Sequence, residues 1–503
     1  KYTKKKKCRL YYSGVYMSNA DRIFKDFGND EDFRIRELQA GGNKISIVWL
    51  DGVANSDRLS DFVAHAIILL DREAACPDDI IKDNVFLIGA EKESRYGEMT
   101  DKLLAGFSLL FIGGYEDAIV LDTQVPDGRS ISEPPTSGVT KGPREGFVEN
   151  LRTNINLIRK RLKTEHFKQE SLNVGKYTQT KVAVCYIEGV ADKTNVDTVI
   201  RRLSVIDTDG ILDSSYIARF LDKSKTSLFK MVGSVEKPDI VVGKMLEGRI
   251  AVVVDGSPIV LTLPYMFIED LQTAEDYYIS NETATMSRYI RLISVLASVL
   301  IPGLYVSLQM YNYQIIPLTF LITIINATKN IPFSPLSEMI LVLIIFDILR
   351  EANFRMPRFA GLALSVVGAV VLGDAAVSAG LLGAPAVMIG ALSGIGLYTL
   401  PDNTLLFTLT RLVITVIGGI LGVFGILAAG IALLAYMASL NAYNTPYLAP
   451  FAPDIPEDRK DALTKSSVYK LDTRPLSIGS KNRVRLKIEK DEEKNDEISR
   501  KNH

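Results

Sequence analysis

LVITVIGGILGVFGILAAGIALLAYMASL, residues 412–440, carries no charged side chain. A bilayer's hydrocarbon core is about 30 Å thick and needs roughly 20 apolar residues at helical rise, so this stretch reads as a membrane-spanning helix. LISVLASVLIPGLYVSL (residues 292–308) is equally free of charge and reads the same way. Up to about residue 287 the chain is instead mixed, charged and soluble in character, and beyond residue 454 it is charge-dense again. The overall balance of 58 basic against 59 acidic residues averages over this segregation and says little about partners.

Between the two clear spans the apolar pattern is interrupted. Residues 312–330 are apolar but short, with Pro317 near the start, which suits an interfacial or re-entrant piece. A second span is expected over about 336–349, a third over 359–382, and the last from near Arg411. The Gly-rich stretch 383–400, broken at Pro385, has no assignable ends. Lys and Arg mark the cytoplasmic side of membrane proteins. The N-terminal half, the linker from Arg350 to Arg358 and the basic C-terminal segment therefore share that side, whereas the loop holding Lys329 faces out. Four spans plus one or two partial insertions satisfy this.

Two features of the membrane half bear on mechanism. Gly361, Ser365, Ala369 and Gly373 recur every fourth residue, a small-residue face that lets helix backbones approach; packing within one chain accounts for it as well as packing between copies. Glu338, Asp347, Glu351 and Asp374 lie at membrane depth or its edge. A carboxylate facing lipid is costly, roughly 2.5–3.5 kcal/mol on insertion scales, so these four are candidates for a pore or gate. Arg350, Arg355 and Arg358 can neutralise Asp347 and Glu351, and a structural ion-pair cluster is the simpler reading there. Asp374 has no basic neighbour in sequence and is the better candidate for a hydrated path.

The soluble half repeats itself. KISIVWLDGVAN (residues 44–55) and KVAVCYIEGVAD (181–192) are each an apolar run, an acid-Gly pair and a capping Asn or Asp, which predicts a buried strand followed by a helix. LLAGFSLLFIGGYEDAIVLDT (103–123) and MLEGRIAVVVDGSPIVLTL (245–263) both read as hairpins. Residues 122–143 have loop composition, and 145–163 predict a long amphipathic helix whose Arg152, Arg159, Arg161 and Lys163 form a solvated face; nucleic-acid binding is the weaker reading, and contact with anionic lipid or an acidic neighbour is a third. The expected fold class is thus a duplicated α+β or α/β N-terminal cytoplasmic domain followed by an all-α polytopic transmembrane domain. Its divisions are 17–140 (first subdomain), 141–170 (linker and helix), 171–285 (second subdomain), 286–442 (transmembrane) and 443–503, a charged cytoplasmic tail expected to be disordered. Met17 offers an alternative start, which leaves residues 1–16 as an upstream segment, and residues 4–13 do not form the apolar core of a signal peptide.

Catalysis finds little purchase. Cys8, Cys76 and Cys185 are too widely spaced for a disulfide framework or a metal site, and Cys185, within an apolar run, reads as a small buried hydrophobe. The histidines, among them His65 on an apolar helix pattern, lack catalytic neighbours. Asp207 and Asp209 lack the other ligands of a calcium loop, and no phosphate-binding glycine loop occurs. No enzyme, cofactor or metal is expected.

Longer motifs carry a resemblance. EPPTSGVTKGPREGFVENLRTNINLIRKRL (133–162), VEKPDIV (235–241), LEGRIAVVVDGSPIVLTLP (246–264) and PFSPLSEMILVLIIFDILREANFRMP (332–357) make the chain similar to the A subunits of the GerA-type spore germination receptors. The positions that carry this are Gly142, Pro143, Arg144, Glu145, Gly146, Phe147, Pro238, Asp239, Asp255 and Gly256. Ser137, Lys237, Asp347 and Asn353 depart from the residues usual there. The resemblance implies a multi-pass protein of the bacterial spore inner membrane with both termini cytoplasmic. It would act with a transporter-like, nutrient-binding B subunit and a lipoprotein C subunit, self-associate into a ring expected to be a pentamer, and conduct monovalent cations to start germination. A channel component similar to the stage V sporulation protein AF, or a non-conducting scaffold, are the alternatives.

Overall fold

The computed structural model describes residues 18–28, 30–40, 43–55, 59–60, 81, 90–113, 115–124, 141–222, 227–355, 370, 373–400 and 403–485. They fall into two compact units, one built from Lys1–Lys225, Met231–Tyr265 and Asp472–His503, the other from Thr226–Lys230 and Met266–Leu471.

The first unit holds two five-stranded sheets. In the first, β1 (Phe33–Ala40), β2 (Asn43–Leu50), β3 (Glu91–Glu93), β4 (Ser108–Ile112) and β5 (Ala118–Leu121) lie in the order β1-β2-β4-β5-β3. In the second, β6 (Phe167–Val174), β7 (Thr180–Ile187), β8 (Gly233–Val235), β9 (Ile250–Val254) and β10 (Val260–Leu263) lie in the order β6-β7-β9-β10-β8. Adding five to each strand number of the first sheet gives the second, which is the topology of a duplicated chain. Every pair is antiparallel. Of the two sheet types expected from sequence, the unit is therefore α+β, because both sheets are antiparallel throughout, with hairpins joining β1 to β2, β4 to β5, β6 to β7 and β9 to β10.

The apolar runs are continuous because both faces of the first sheet are covered. Leu109, Phe111, Ala118 and Val120 pack with α1 (Asn19–Phe27) and α2 (Tyr96–Leu104), while Leu110, Ile112, Ile119 and Leu121 point the other way. In the second sheet Ala183, Cys185, Ala251 and Val253 pack under α3 (Leu151–Arg161) and α6 (Pro238–Leu246). Cys185 is fully buried, as its surroundings in sequence imply. Asp192 caps α4 (Lys193–Ser204) by accepting from the Thr194 amide. Residues 56–58 and 61–70, including His65, are outside the described residues, as are Cys8, Cys76 and residues 1–16. The predicted helix over 145–163 is shorter, since Asn150 caps α3 by accepting from the Thr153 amide.

The second unit is helical: α7 (Asn281–Met310), α8 (Leu318–Thr328), α9 (Pro335–Arg355), α10 (Ala384–Leu397) and α11 (Thr404–Ser439). By length and composition α7 and α11 can cross a membrane, while α8 and α10 are apolar but short. The Ser280 hydroxyl caps α7 by accepting from the Thr283 amide, so this helix starts eleven residues before the charge-free stretch that opens at Leu292. Gly303 of α7 faces Ile414 of α11, and Gly390 of α10 faces Val342 of α9 so closely that an added Cβ would lie 2.3 Å from its Cγ1. Small residues thus sit at helix contacts at these positions. Gly361, Ser365 and Ala369 lie outside the described residues, and Gly373 has only an ordinary contact with Val387.

Helix α11 is broken at Gly422, whose φ of 70° and ψ of −162° suit glycine alone. The Tyr311 hydroxyl donates to the freed carbonyls of Gly419 and Ile420 at 3.1 and 2.8 Å. Gly422→Ala is expected to lower stability by about 1–3 kcal/mol and to straighten the helix, checked by the thermal midpoint of the detergent-solubilised chain. An unchanged midpoint would mean the break is not required.

The tail expected to be disordered from 443 is ordered to Arg485. Strands β11 (Asn441–Ala442) and β12 (Thr445–Pro446) pair, and three short 3-10 turns follow. Charge density misleads here because the charges are partnered internally, as described below. Residues 486–503 lie outside the described residues.

Candidate functional site

Charged residues buried within each unit define its centre. Helix α3 joins the two sheets of the first unit. Arg159, expected on a solvated face, is instead 1% exposed. It donates to both oxygens of Asp30 at 2.9 and 3.1 Å and to Asp32 at 3.0 Å, with Phe167 beneath its guanidinium. Two turns away Arg152 meets Asp51 at 3.0 Å, and one turn away the Asn156 side chain donates to the Gly52 carbonyl. Acids come from the first repeat and bases from the second. Burial pushes the Asp32 carboxyl above its usual range, against the pull of Arg159, and Asp30 and Asp51 add to the rise. Beside this joint opens a cleft of about 860 Å³ lined by Asp30, Arg34, Arg152, Lys181 and Asp255, among others. Its walls thus carry both signs of charge.

The motif residues gather around the same helix. The Phe147 amide donates to the Glu236 carbonyl at 2.8 Å, and its ring enters the core. Glu145 pairs with Arg161. Asp255 accepts from the Leu151 amide at 3.1 Å, and the Gly256 amide reaches the Glu149 carbonyl from a φ of 84°. Pro238 opens α6, where its missing N–H costs nothing, and Asp239 lies in that helix's first turn 3.8 Å from the buried Lys237. Gly142 has a φ of 122°, and Pro143, Arg144 and Gly146 continue from it toward α3. These residues hold α3 in place.

In the helical unit a polar chain crosses four helices. Pro302 has no N–H, which leaves the Ser298 carbonyl open one turn earlier. The Ser393 hydroxyl donates to that carbonyl at 2.6 Å and accepts from Arg411 at 3.1 Å. Arg411, 1% exposed, grips Asp347 with two bonds of 2.9 and 3.0 Å. Arg350 lies 3.2 Å from Asp347 and donates to Thr408 at 2.7 Å. Asp347 is thus in an ion-pair cluster as expected, but its second cation is Arg411. Arg358 is outside the described residues. No local pattern marks Arg411 as the partner, since 64 residues separate the two; an arginine at the edge of an apolar run was the available signal.

The other candidate acids differ in burial. Glu338 is buried and accepts from the Gly383 amide at 2.6 Å, so it caps α10 from within the same chain. Glu351 and Asp374 are exposed. Among the described residues no cluster of His, Cys, Asp and Glu could hold a metal ion.

The foot of α7 carries a second buried network. Arg288 donates to Asp276 at 3.1 Å, to the Asp461 carboxylate at 2.9 Å and to the Ala462 carbonyl at 2.7 Å. Arg291 adds two bonds of 2.8 Å to Asp276, and Lys465 donates to the Asp276 carbonyl. Burial works to raise the Asp276 carboxyl, but Arg291, the Thr273 amide and Arg288 together hold it below the usual carboxylate range. This network is what orders the segment after residue 443.

The family model described as Bacillus/Clostridium GerA spore germination protein matches residues 21–477. Spore germination protein KA of Bacillus subtilis (strain 168) is 31% identical over 468 residues, covering 92% of this chain and 86% of its own. The membrane protein YfkQ of the same organism is 31% identical over 436 residues, covering 85% and 84%. The crystal structure of the N-terminal domain of the A subunit of the Bacillus megaterium spore germinant receptor GerK3 matches 50% of this chain and 94% of that one, at 26% identity and a TM-score of 0.38. With the match running through both the duplicated sheets and the apolar helices, the chain belongs to the GerA spore germination protein family.

Proposed function

We propose that the chain is the A subunit of a nutrient-responsive receptor of the spore inner membrane and conducts monovalent cations as a ring, a pentamer by family resemblance. The transporter-like B subunit would bind the nutrient and the lipoprotein C subunit would complete the complex. The observation that carries this reading is the polar chain from Ser298 to Arg350 threaded through apolar helices. Ionisable groups at membrane depth are costly and mark ion pathways or the elements that move around them. Residues before 226 and after 471 share one compact unit, which supports an even number of crossings and both termini on the cytoplasmic side. Nutrient binding elsewhere would open the ring only by favouring one arrangement of helices over another.

The purified chain, reconstituted alone and with its B and C subunits, tests this by cation flux from vesicles. Asp374→Asn is expected to reduce flux severalfold without disturbing assembly; unchanged flux removes Asp374 from the pathway. A second reading, a non-conducting scaffold, is favoured by the internal partners of Glu338 and Asp347. Absence of nutrient-triggered flux from a correctly assembled receptor would favour that reading over conduction.

A further inference from the structure

We propose that α5 (Ser214–Leu221) of the soluble unit is an interfacial anchor that rests on the bilayer entered by the helical unit, an inference that presupposes the membrane reading above. Its inner stripe, Ser214, Ile217 and Leu221, is buried in the unit's own core. The opposite stripe is exposed: Leu212 just before the helix, then Tyr216 and Phe220, are 70%, 46% and 45% accessible. Four residues apart, Tyr216 and Phe220 line one face of the helix. Exposed aromatic and aliphatic residues grouped in this way mark a contact surface.

Three observations select a lipid surface as the occupant. Arg219 is the single charged residue of the helix and is exposed beside Phe220. Basic residues alternating with aromatic ones suit anionic headgroups above an acyl boundary. Asp213 and Asp222 flank the helix and Lys223 and Lys225 follow it, so residues 213–225 carry a net charge of +1. It then joins the end of an apolar helix: the Leu228 amide donates to the Tyr436 hydroxyl at 3.4 Å, and Phe229 packs on Tyr436 and Tyr447 with centroids 6.1 and 5.7 Å apart. Tyr436 lies in the last turn of α11. Six residues lie between Leu221 and Leu228, a tether of about 25 Å at most. That length is enough for the helix to reach the level where α11 leaves the hydrocarbon. The aromatic stripe enters the headgroup boundary to a depth of about 5–10 Å.

Trp49 is the only tryptophan, so the full chain can be probed in a Trp49→Phe background. Phe220→Trp, Tyr216→Trp, Phe424→Trp and Tyr177→Trp are each reconstituted in vesicles of phosphatidylcholine and phosphatidylglycerol, with and without bromine on the acyl chains. Phe424, exposed on α11, reports insertion of the span, and Tyr177, exposed on a turn, reports a water-facing position. Emission from positions 220 and 216 should fall by about half with brominated lipid, and that from 177 hardly at all. Quenching at 424 with none at 220 and 216 would overturn the anchor and leave the span standing. No quenching at 424 would overturn the membrane reading itself. Positions 220 and 216 shielded from both brominated lipid and aqueous iodide would show that protein covers the stripe, which also overturns the proposal.

Discussion

Arg159→Met should cost the first unit roughly 3–5 kcal/mol, because it strands two carboxylates in the joint between the sheets. Asp30 has a side chain only 2% exposed and takes two bonds from the guanidinium. Hydrophobic packing cannot compensate, since the methionine satisfies neither acid. Arg159→Lys should fall between, as it keeps the charge and loses the planar fork. The deficit should also depend on pH. The Asp32 carboxyl is already raised in the folded protein, so between the ordinary aspartate value and its raised value the folded state holds more protons than the unfolded one. Stability from this group therefore increases on acidification through that window. Without Arg159 the carboxyl rises further, and the defect of Arg159→Met should be larger at neutral pH than in mildly acidic buffer. Thermal midpoints of the full chain in detergent at the two pH values measure this, and an equal defect at both would remove the stranded charge as its cause.

Asp347→Ala should be as damaging to the helical unit. It leaves Arg411 buried with the Ser393 hydroxyl as its remaining partner, and an uncompensated buried charge costs about 3–5 kcal/mol. The double variant Asp347→Ala/Arg411→Leu should recover most of the loss, because removing both members of a buried pair is close to neutral. The fraction of each variant that stays monodisperse after detergent extraction, with its thermal midpoint, reads the difference. A double variant no better than the single one would mean that α9 and α11 are held together by packing and not by this pair.

The residues differ in how openly they declare these roles. Central strands such as β4 and β9 are legible because four or five successive apolar residues between turn signals suit a strand covered on both faces. The hairpins, the Asp192 cap and the long apolar helices are equally local signals. Strands β1 and β6 are not legible: FRIRELQA and FKQESLNV are largely charged or polar, since they lie at sheet edges, where charge also discourages pairing between molecules. The candidate site divides the same way. An acid in an apolar helix is visible as a cost, but its remedy is a distant residue. Arg159 finds Asp30 across 129 positions and Arg411 finds Asp347 across 64. Periodicity has a reach of one or two turns, so it assigned Arg159 to solvent and passed over Arg411.

The return of the C-terminal segment constrains how the molecule is made. After the last apolar helix, the Arg474 side chain donates to the Leu246 carbonyl at 2.7 Å and the Ser480 hydroxyl to the Val190 carbonyl at 2.8 Å. The first unit therefore gains these two bonds only after the helices have been made. A product ending before residue 472 would lack both bonds, which gives quality-control proteases a simple mark of incomplete synthesis.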